Sequence, residues 1–273
     1  MQLETIILNM NIYLIAIAVL PVLVLAFVVY RQDKYEKEPL GKLIKAFIFG
    51  ALSIIPAGIL ESVLVQYTPP FPIVSGAYTG FVVAGCSEEL FKLLFLYWAV
   101  WKSVEFNEYF DGIVYACFVS LGFACFENVG YVLGQEVFAE AMVTGSIRAV
   151  LSVPGHFLFG VMMGYYFSLA KFGYSDNGGS RPRGRYLLLA FLVPMLLHGT
   201  FDSLLMIPES MGEGQGLVAS ALFILLIWFD VKMWKWGVRR IRHLQELSEK
   251  QSAPSGDFSS PSSDPFQDFT WEV

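Results

Sequence analysis

The chain has 273 residues, of which 55% are hydrophobic and 15% are charged, and its mean hydropathy is +0.56. Soluble domains carry about 25% charged residues, so this composition predicts a membrane protein. The 18 Lys and Arg residues against 24 Asp and Glu residues give a net charge of −6, which excludes a nucleic-acid-binding protein that depends on phosphate contacts.

Seven stretches of the chain are long and apolar enough to cross a bilayer, which takes about 20 mostly apolar residues. We therefore predict an all-α fold, a polytopic membrane helix bundle of about seven transmembrane helices. In chain order the predicted spans cover approximately residues 8–30, 43–66, 78–101, 111–133, 147–170, 186–207 and 217–236.

The positive charges are concentrated in alternate connections. Sixteen of the 18 Lys and Arg residues fall at the first, third and fifth connections or follow the last span. By the positive-inside rule these segments are cytoplasmic, so we predict that the N-terminus lies outside and the C-terminus in the cytoplasm. The two exceptions are Lys92, within the third span, and Arg148, near the outer start of the fifth.

The composition changes after residue 243, where the chain becomes rich in Ser, Pro and Asp. Such a segment cannot bury enough apolar surface to fold alone. We predict a membrane domain over 1–243 and a disordered cytoplasmic tail over 244–273.

Ionisable side chains recur inside four consecutive predicted spans, where they are costly and tend to mark functional sites. At about 1.5 Å of rise per residue, Glu88, Glu127, His156, His198 and Asp202 fall in the outer half of the bilayer, which predicts one shared cavity. Another glutamate, Glu61, stands alone in the second span. The four spans carry, in order, Glu88, Glu89 and Lys92; Glu127; His156; and His198 and Asp202.

The spacing within two of these helices predicts specific pairs. Glu88 and Lys92 are four residues apart with the acid first, the better orientation for an ion pair. Glu89 points about 100° away around the helix, so we expect its carboxylate to remain in the cavity. His198 and Asp202 are also four residues apart, so Asp202 could orient the imidazole or both could bind a metal.

At these residues the sequence resembles the PrsW family of intramembrane proteases, within the wider clan of CAAX-type prenyl proteases and bacteriocin-immunity-type membrane proteins. The resemblance runs from about residue 30 to 207. Three motifs of the family, Glu-Glu-x-x-Lys, Phe-x-x-x-Glu and His-x-x-x-Asp, occur in order on successive polar spans. They are matched by Glu88, Glu89 and Lys92, by Phe123 and Glu127, and by His198 and Asp202.

The resemblance implies hydrolysis of a peptide bond in or near the membrane, as one step of regulated proteolytic signalling. The implied substrate is a membrane-anchored, single-pass protein such as an anti-sigma factor, and a downstream protease is a further implied partner. The implied location is the cytoplasmic membrane of a prokaryote. The family has been viewed both as metal-dependent and as glutamate-based, so both mechanisms stay open here.

Amide hydrolysis needs an activated water, a group that holds the oxyanion and an acid for the leaving nitrogen. We assign Glu88 or Glu89 as the base that deprotonates water, slightly favouring Glu88. Lys92 would hold the charge of this pair.

The remaining polar residues complete this assignment. His198, oriented by Asp202, and Asn128 are the candidates that stabilise the oxyanion. Glu127 would place the water or protonate the leaving amine.

The metal alternative uses an overlapping set of side chains. Imidazole and carboxylate ligands suit zinc, although the helical zinc-protease signature His-Glu-x-x-His does not occur in the sequence. The residues available as ligands are His156, His198, Glu127 and Asp202.

Other classes make different demands on the sequence. A catalytically inactive clan member acting as an immunity or scaffold protein would share the motifs, and only a cleavage assay separates it from an enzyme. A transporter should show repeated halves or a polar path that reaches both faces, and the inner half of the spans lacks such a path.

Overall fold

The computed structural model describes residues 2–173, 183–212 and 214–252. These residues form helices and contain no β-strand. Within these three ranges, nine α-helices follow one another: α1 (Gln2–Gln32), α2 (Leu40–Leu64), α3 (Pro72–Tyr78), α4 (Ser87–Val100), α5 (Asp111–Leu133), α6 (Phe138–Ile147), α7 (Val153–Phe172), α8 (Arg183–Met211) and α9 (Gly216–Ser252).

Two pairs of helices are continuous through wider π-helical turns. Thr79–Cys86 joins α3 to α4, and Arg148–Ser152 joins α6 to α7. Pro154 lies two residues after the second π segment, and its missing N–H explains why the regular hydrogen-bond ladder is interrupted there. π-helical turns inside α-helices occur frequently at functional sites.

The fold class predicted from the sequence is confirmed, since the protein is a polytopic helical membrane bundle. Six helices of the described residues are long and apolar enough to cross a membrane, and they match the first, second, fourth, fifth, sixth and seventh predicted spans. The third predicted span, 78–101, corresponds to the continuous helix from α3 to α4. This helix is less apolar because it carries Glu88, Glu89 and Lys92 close together.

The centre of the bundle is formed by α5 and α7, which pack against each other and are buried along most of their length. Around them stand α1, α2, α8 and α9. Large apolar side chains on these outer helices point away from the core, for example Phe27, Ile59 and Ile224. An apolar exterior of this extent is what a surrounding bilayer requires.

Glycines permit the close helix contacts that hold this arrangement. A Cβ atom at Gly164 of α7 would lie 2.3 Å from the carbonyl oxygen of Gly112 on α5. A Cβ atom at Gly80 of the first π segment would lie 2.5 Å from Ser203 Oγ on α8. Small residues at such positions let membrane helices approach closely, and the second contact brings the polar part of α4 beside α8.

Basic side chains tie several connections together at one end of the bundle. Lys42 Nζ donates to Ser103 Oγ at 3.0 Å, Lys45 Nζ to the carbonyl of Ala99 at 2.9 Å, and Lys171 Nζ to the carbonyl of Trp101 at 2.6 Å. The first, third and fifth connections therefore meet at one end. This is the end that the positive-inside rule assigns to the cytoplasm.

The last helix extends further than the sequence pattern predicts. Residues 244–252, assigned above to a disordered tail, are helical and belong to α9. Leu244 and Leu247 are buried in the core, and the backbone N–H of Phe110 donates to Ser248 Oγ at 2.9 Å. Tertiary contacts thus order a polar stretch that cannot bury a core by itself, whereas the predicted tail from residue 253 onward lies outside the described residues.

Candidate active site

The first π segment leads directly into the Glu-Glu motif. Small residues of this segment, Gly80 and Gly85, lie against α8, so α4 begins deep within the bundle. Its first turn carries Glu88 and Glu89, and both side chains are buried. Two buried carboxyl groups next to each other require cations or donors close by.

Lys92 supplies that charge and forms the centre of the site. Its Nζ lies 3.0 Å from Glu88 Oε2, 2.8 Å from Glu89 Oε1 and 3.1 Å from His156 Nδ1. An ammonium group has three N–H donors, so these three acceptors use all of them. The Nζ atom also lies 4.1 Å from the centre of the Phe123 ring, which is a favourable cation–π distance.

The hydrogen bond from Lys92 determines the tautomer of His156. Because Nδ1 accepts from the ammonium, the ring proton resides on Nε2, which donates to Glu127 Oε2 at 2.8 Å. The same Glu127 oxygen lies 2.7 Å from Arg148 Nη2. The backbone of His156 is also held, since its carbonyl accepts from Ser120 Oγ at 2.6 Å.

His198 stands among three carboxylates. Its Nδ1 lies 2.9 Å from Glu89 Oε1, and its Nε2 lies 3.3 Å from Asp202 Oδ2 and 3.9 Å from Glu88 Oε2. Both ring nitrogens face acceptors, which is the arrangement of an imidazolium that donates from both. The ring stacks on Phe159 with a centroid separation of 4.6 Å, which fixes its plane.

A cavity of about 440 Å³ lies beside these residues and is lined by α2, α4, α5, α6, α7, α8 and the two π segments. Glu88 lines this cavity, whereas Glu89 is fully buried behind it and bound to Lys92 and His198. The sequence-based expectation that Glu89 is the carboxylate left in the cavity is therefore corrected. Lys92 contacts both glutamates, because three- and four-residue spacings share one side of a helix.

Apart from Glu89 and Lys92, one residue predicted for the site, Asn128, does not line the cavity. Asn128 is fully buried and lies outside the cavity lining. Its Nδ2 donates to the carbonyl of Ala18 at 3.1 Å, and its Oδ1 accepts from Arg148 Nε at 2.6 Å. An amide engaged in this way holds Arg148 instead of facing a substrate. The predicted residues that line the cavity are Glu88, Phe123, Glu127, His156, His198 and Asp202.

Sequence reasoning gave no role in the site to three ionisable residues that line the cavity, Arg148, Glu61 and Glu209. Arg148 opens the second π segment, and its guanidinium lies 4.0 Å from the centre of the Tyr131 ring. The sequence signal that could have identified Arg148 is its isolated positive charge near the outer end of a predicted span. Glu61 of α2, which stands alone in the sequence, also lines the cavity, and only the packing of α2 against α5 places it there.

A set of metal-ligating side chains is present at the same place. Glu88, Glu89, His156 and His198 each offer one ligand atom, and these atoms lie within 4.8 Å of one another. Two imidazoles and two carboxylates are donors that suit a zinc-like ion, so the donor set fits a metal. The set differs from the sequence-based one, since Glu88 and Glu89 replace Glu127 and Asp202. Lys92 Nζ lies within hydrogen-bond distance of three of the four ligands, so an ion bound there would displace the ammonium.

Comparisons of the sequence with known proteins point to one family. Residues 38–229 match the family model described as PrsW family intramembrane metalloprotease. "Protease PrsW" of Clostridioides difficile is 36% identical over 241 residues, which is 88% of this chain and 95% of that protein. "Protease PrsW" of Bacillus subtilis is 30% identical over 240 residues, 87% of this chain and 98% of that protein. No solved structure matches the chain.

Proposed function

Since the chain belongs to the PrsW family of intramembrane metalloproteases, we propose that it hydrolyses a peptide bond of a single-pass, membrane-anchored protein near the outer face of the bilayer. The observation that carries this proposal is the position of Glu88. Its carboxylate lines the cavity, while Lys92, two histidines and a second glutamate surround it.

Glu88 is the group that activates water. A water in the cavity gives its proton to the Glu88 carboxylate as its oxygen attacks the carbonyl carbon of the scissile bond. Lys92, held by both glutamates, keeps the carboxylate in place and balances its charge. Because Glu89 is bound to Lys92 and His198, it acts on the reaction only through them.

The charge that develops on the carbonyl oxygen needs donors at the cavity wall. His198 Nε2–H, which faces Asp202 at 3.3 Å in the free protein, becomes such a donor when it turns from Asp202 to the substrate oxygen. When the C–N bond breaks, the leaving nitrogen takes the proton that Glu88 received. Glu127, held by Arg148 and His156, lies at the same cavity and positions the peptide or its water.

The metal-dependent form of the mechanism would use the same cavity. An ion held by Glu88, Glu89, His156 and His198 would supply Lewis-acid polarisation and lower the pKa of a bound water. The ammonium of Lys92 would then have to leave the three ligands that it contacts. The metal content of the purified protein, measured by mass spectrometry of the elements, distinguishes the two forms.

The proposed substrate and side of cleavage rest on topology. The connections at the end of the bundle opposite the basic side chains carry no Lys or Arg, so the positive-inside rule makes that end the outer one. The glutamates and histidines lie in the outer half of the spans on this assignment. An anti-sigma-factor-like protein with one transmembrane helix, cleaved near its outer end as the first step of a proteolytic cascade, fits this position.

A cleavage assay with purified full-length protein in detergent tests the proposal. Glu88→Gln, Glu89→Gln and His198→Ala should each lower the cleavage of a single-pass test protein by at least about 10²-fold, while the variants elute as the wild-type protein does. Glu136→Gln, an exposed residue outside the cavity, is the matched control and should keep wild-type activity.

Three results would contradict the proposal or a part of it. Full activity of the Glu88 and His198 variants would remove the proposed site. A scissile bond mapped to the cytoplasmic side of the substrate would remove the assignment of the outer face, and absence of cleavage of every single-pass test protein would favour a catalytically inactive member of the clan.

A further inference from the structure

The cavity contains more acidic groups than its own cations balance. Three of its carboxylates have partners: Glu88 contacts Lys92, Glu127 contacts Arg148 at 2.7 Å, and Asp202 contacts His198 at 3.3 Å. Two further glutamates, Glu61 and Glu209, line the same cavity. Within the described residues neither side chain has a hydrogen-bond or ion-pair partner.

Glu61 is the more informative of the two. It lies within α2, a membrane-spanning helix, and is only half-exposed. An ionisable group inside a membrane is costly and normally faces a partner or a polar cavity. Because the described residues supply Glu61 with no hydrogen-bond or ion-pair partner, the position is suited to a donor that arrives with a ligand.

Both glutamates lie at the outer mouth of the cavity. Glu61 is three residues from the end of α2 at Leu64, about 5 Å along the helix axis, and Glu209 is two residues from the end of α8 at Met211. Both helices end in connections without Lys or Arg. Glu88 lies deeper, since it opens α4 after the π segment.

We propose that Glu61, assisted by Glu209, determines specificity by binding a positively charged side chain of the substrate, a Lys or Arg on the outer side of the scissile bond. The inference rests on the proposed proteolytic function and deepens it. A cation at the mouth meets a carboxylate that has no partner among the described residues, whereas an acidic side chain there meets like charge. Selection by repulsion as well as by attraction gives the largest discrimination between substrates.

The experiment uses a single-pass test protein whose scissile bond has been mapped. At each of the four positions on the outer side of that bond, Lys, Gln or Glu is placed in turn, and kcat/KM is measured with the purified full-length enzyme. We expect the Lys substrate to be cleaved at least about tenfold faster than the Glu substrate at one or more of these positions.

Variants then assign the preference. Glu61→Gln should reduce the Lys-to-Glu ratio, Glu61→Arg should invert it so that the Glu substrate is preferred, and Glu209→Gln should reduce it by less. Glu136→Gln, the same change at an exposed acid of the outer side but outside the cavity, should leave the ratio at its wild-type value. Thermal unfolding in the same detergent confirms that each variant is folded, and Glu209→Gln provides a second test if Glu61→Arg does not fold.

The outcomes separate this inference from the function on which it rests. Equal cleavage of Lys, Gln and Glu substrates by the wild-type protein overturns the inference and leaves the protease function standing. An unchanged ratio in folded Glu61→Gln and Glu61→Arg variants overturns the role of Glu61. Absence of cleavage of all substrates by the wild-type protein overturns both.

Discussion

The molecule contains two groups of buried carboxyls, and they differ in the cations that accompany them. At the cavity, Glu88 and Glu89 share the ammonium of Lys92. At the end of the bundle that carries the basic side chains, a second group, which we call the inner carboxyl cluster, forms no ion pair within the described residues. It consists of Asp33, Glu38, Glu108 and Asp111, all of them buried.

The inner carboxyl cluster is held by neutral donors. The backbone N–H of Glu38 donates to Asp33 Oδ2 at 3.1 Å, and the N–H groups of residues 107 and 108 donate to Asp111 Oδ2. The hydroxyl of Tyr115 is in contact with Glu38. With no cation beside Glu38, burial raises its pKa to about 7. Burial also raises the pKa of Glu108, and it raises the pKa of Asp33 against the opposing charge of Lys37.

The difference separates two uses of a buried acid. Carboxyls held by neutral donors bind protons readily, and here they join connections together. Carboxylates gathered around a cation stay charged, and here they lie at a cavity where water can be activated. The number of acids is similar in the two places, so the presence of Lys92, Arg148 and the two histidines distinguishes the candidate active site.

Removing the central cation should produce the largest effect. Lys92→Met leaves two buried carboxylates without their shared partner, and breaking a buried pair in this way costs about 3–5 kcal/mol. We expect the free energy of unfolding in detergent to fall by about that amount. Lys102→Met, at an exposed lysine of the third connection, should change it little.

The same variant reports on the metal alternative. If the ammonium and a divalent ion compete for the same ligands, Lys92→Met should bind zinc more tightly than the wild-type protein in equilibrium dialysis, and added zinc should restore part of its stability. Equal zinc binding by the two proteins would show that Lys92 and the metal do not compete.

Replacing the second cation, Arg148, should have an effect of intermediate size, and this effect is on the rate of cleavage. Arg148 holds Glu127 at 2.7 Å and Asn128 at 2.6 Å, so Arg148→Gln frees Glu127 to move. A misplacement of about 1 Å costs about 10²-fold in rate, and we expect a loss of this size in kcat with a smaller change in KM. Arg148→Lys should recover part of kcat, and Arg239→Gln, at an exposed arginine of α9, should behave as wild type. Equal losses with Gln and Lys would contradict a positioning role.

The inner carboxyl cluster should give the smallest effect, visible in the pH dependence of stability. The folded protein holds the Glu38 proton up to a pH of about 7, whereas an unfolded chain releases it near its usual pKa of about 4.3. Stability that this proton contributes is therefore present at low pH and is lost as the pH rises through this window. The Glu38→Gln side chain cannot ionise, so the melting temperature of this variant should decline less between pH 5 and pH 8 than that of the wild-type protein. The difference corresponds to the release of at most one proton on unfolding.

The control for this last variant is Glu246→Gln, an exposed residue of α9, which should keep the wild-type slope. A Glu38→Gln protein that loses stability between pH 5 and pH 8 as steeply as the wild type would show that Glu38 is not the group that titrates.

Much of the fold could be predicted from local composition, because membrane spans depend on the length and hydropathy of a single segment. The helix ends were less predictable, since α9 continues through residues 244–252 on contacts that come from distant residues, such as the bond from Phe110 to Ser248. Of the site, Glu88, Lys92 and His198 were found because ionisable groups inside spans are rare. The roles of Glu89 and Asn128 could not be predicted, because they depend on which face of each helix meets its neighbour.

The sequence by itself determined the class of the protein, its helical membrane architecture and the set of polar residues that the site would draw upon. These properties follow from the cost of placing polar groups in hydrocarbon, which acts on each segment independently. The tertiary structure alone decided which carboxylate faces the cavity, that one ammonium serves Glu88, Glu89 and His156 together, and that Glu61 joins the same cavity. Those outcomes depend on the π-helical turns and glycine contacts that fix how the helices rotate against one another.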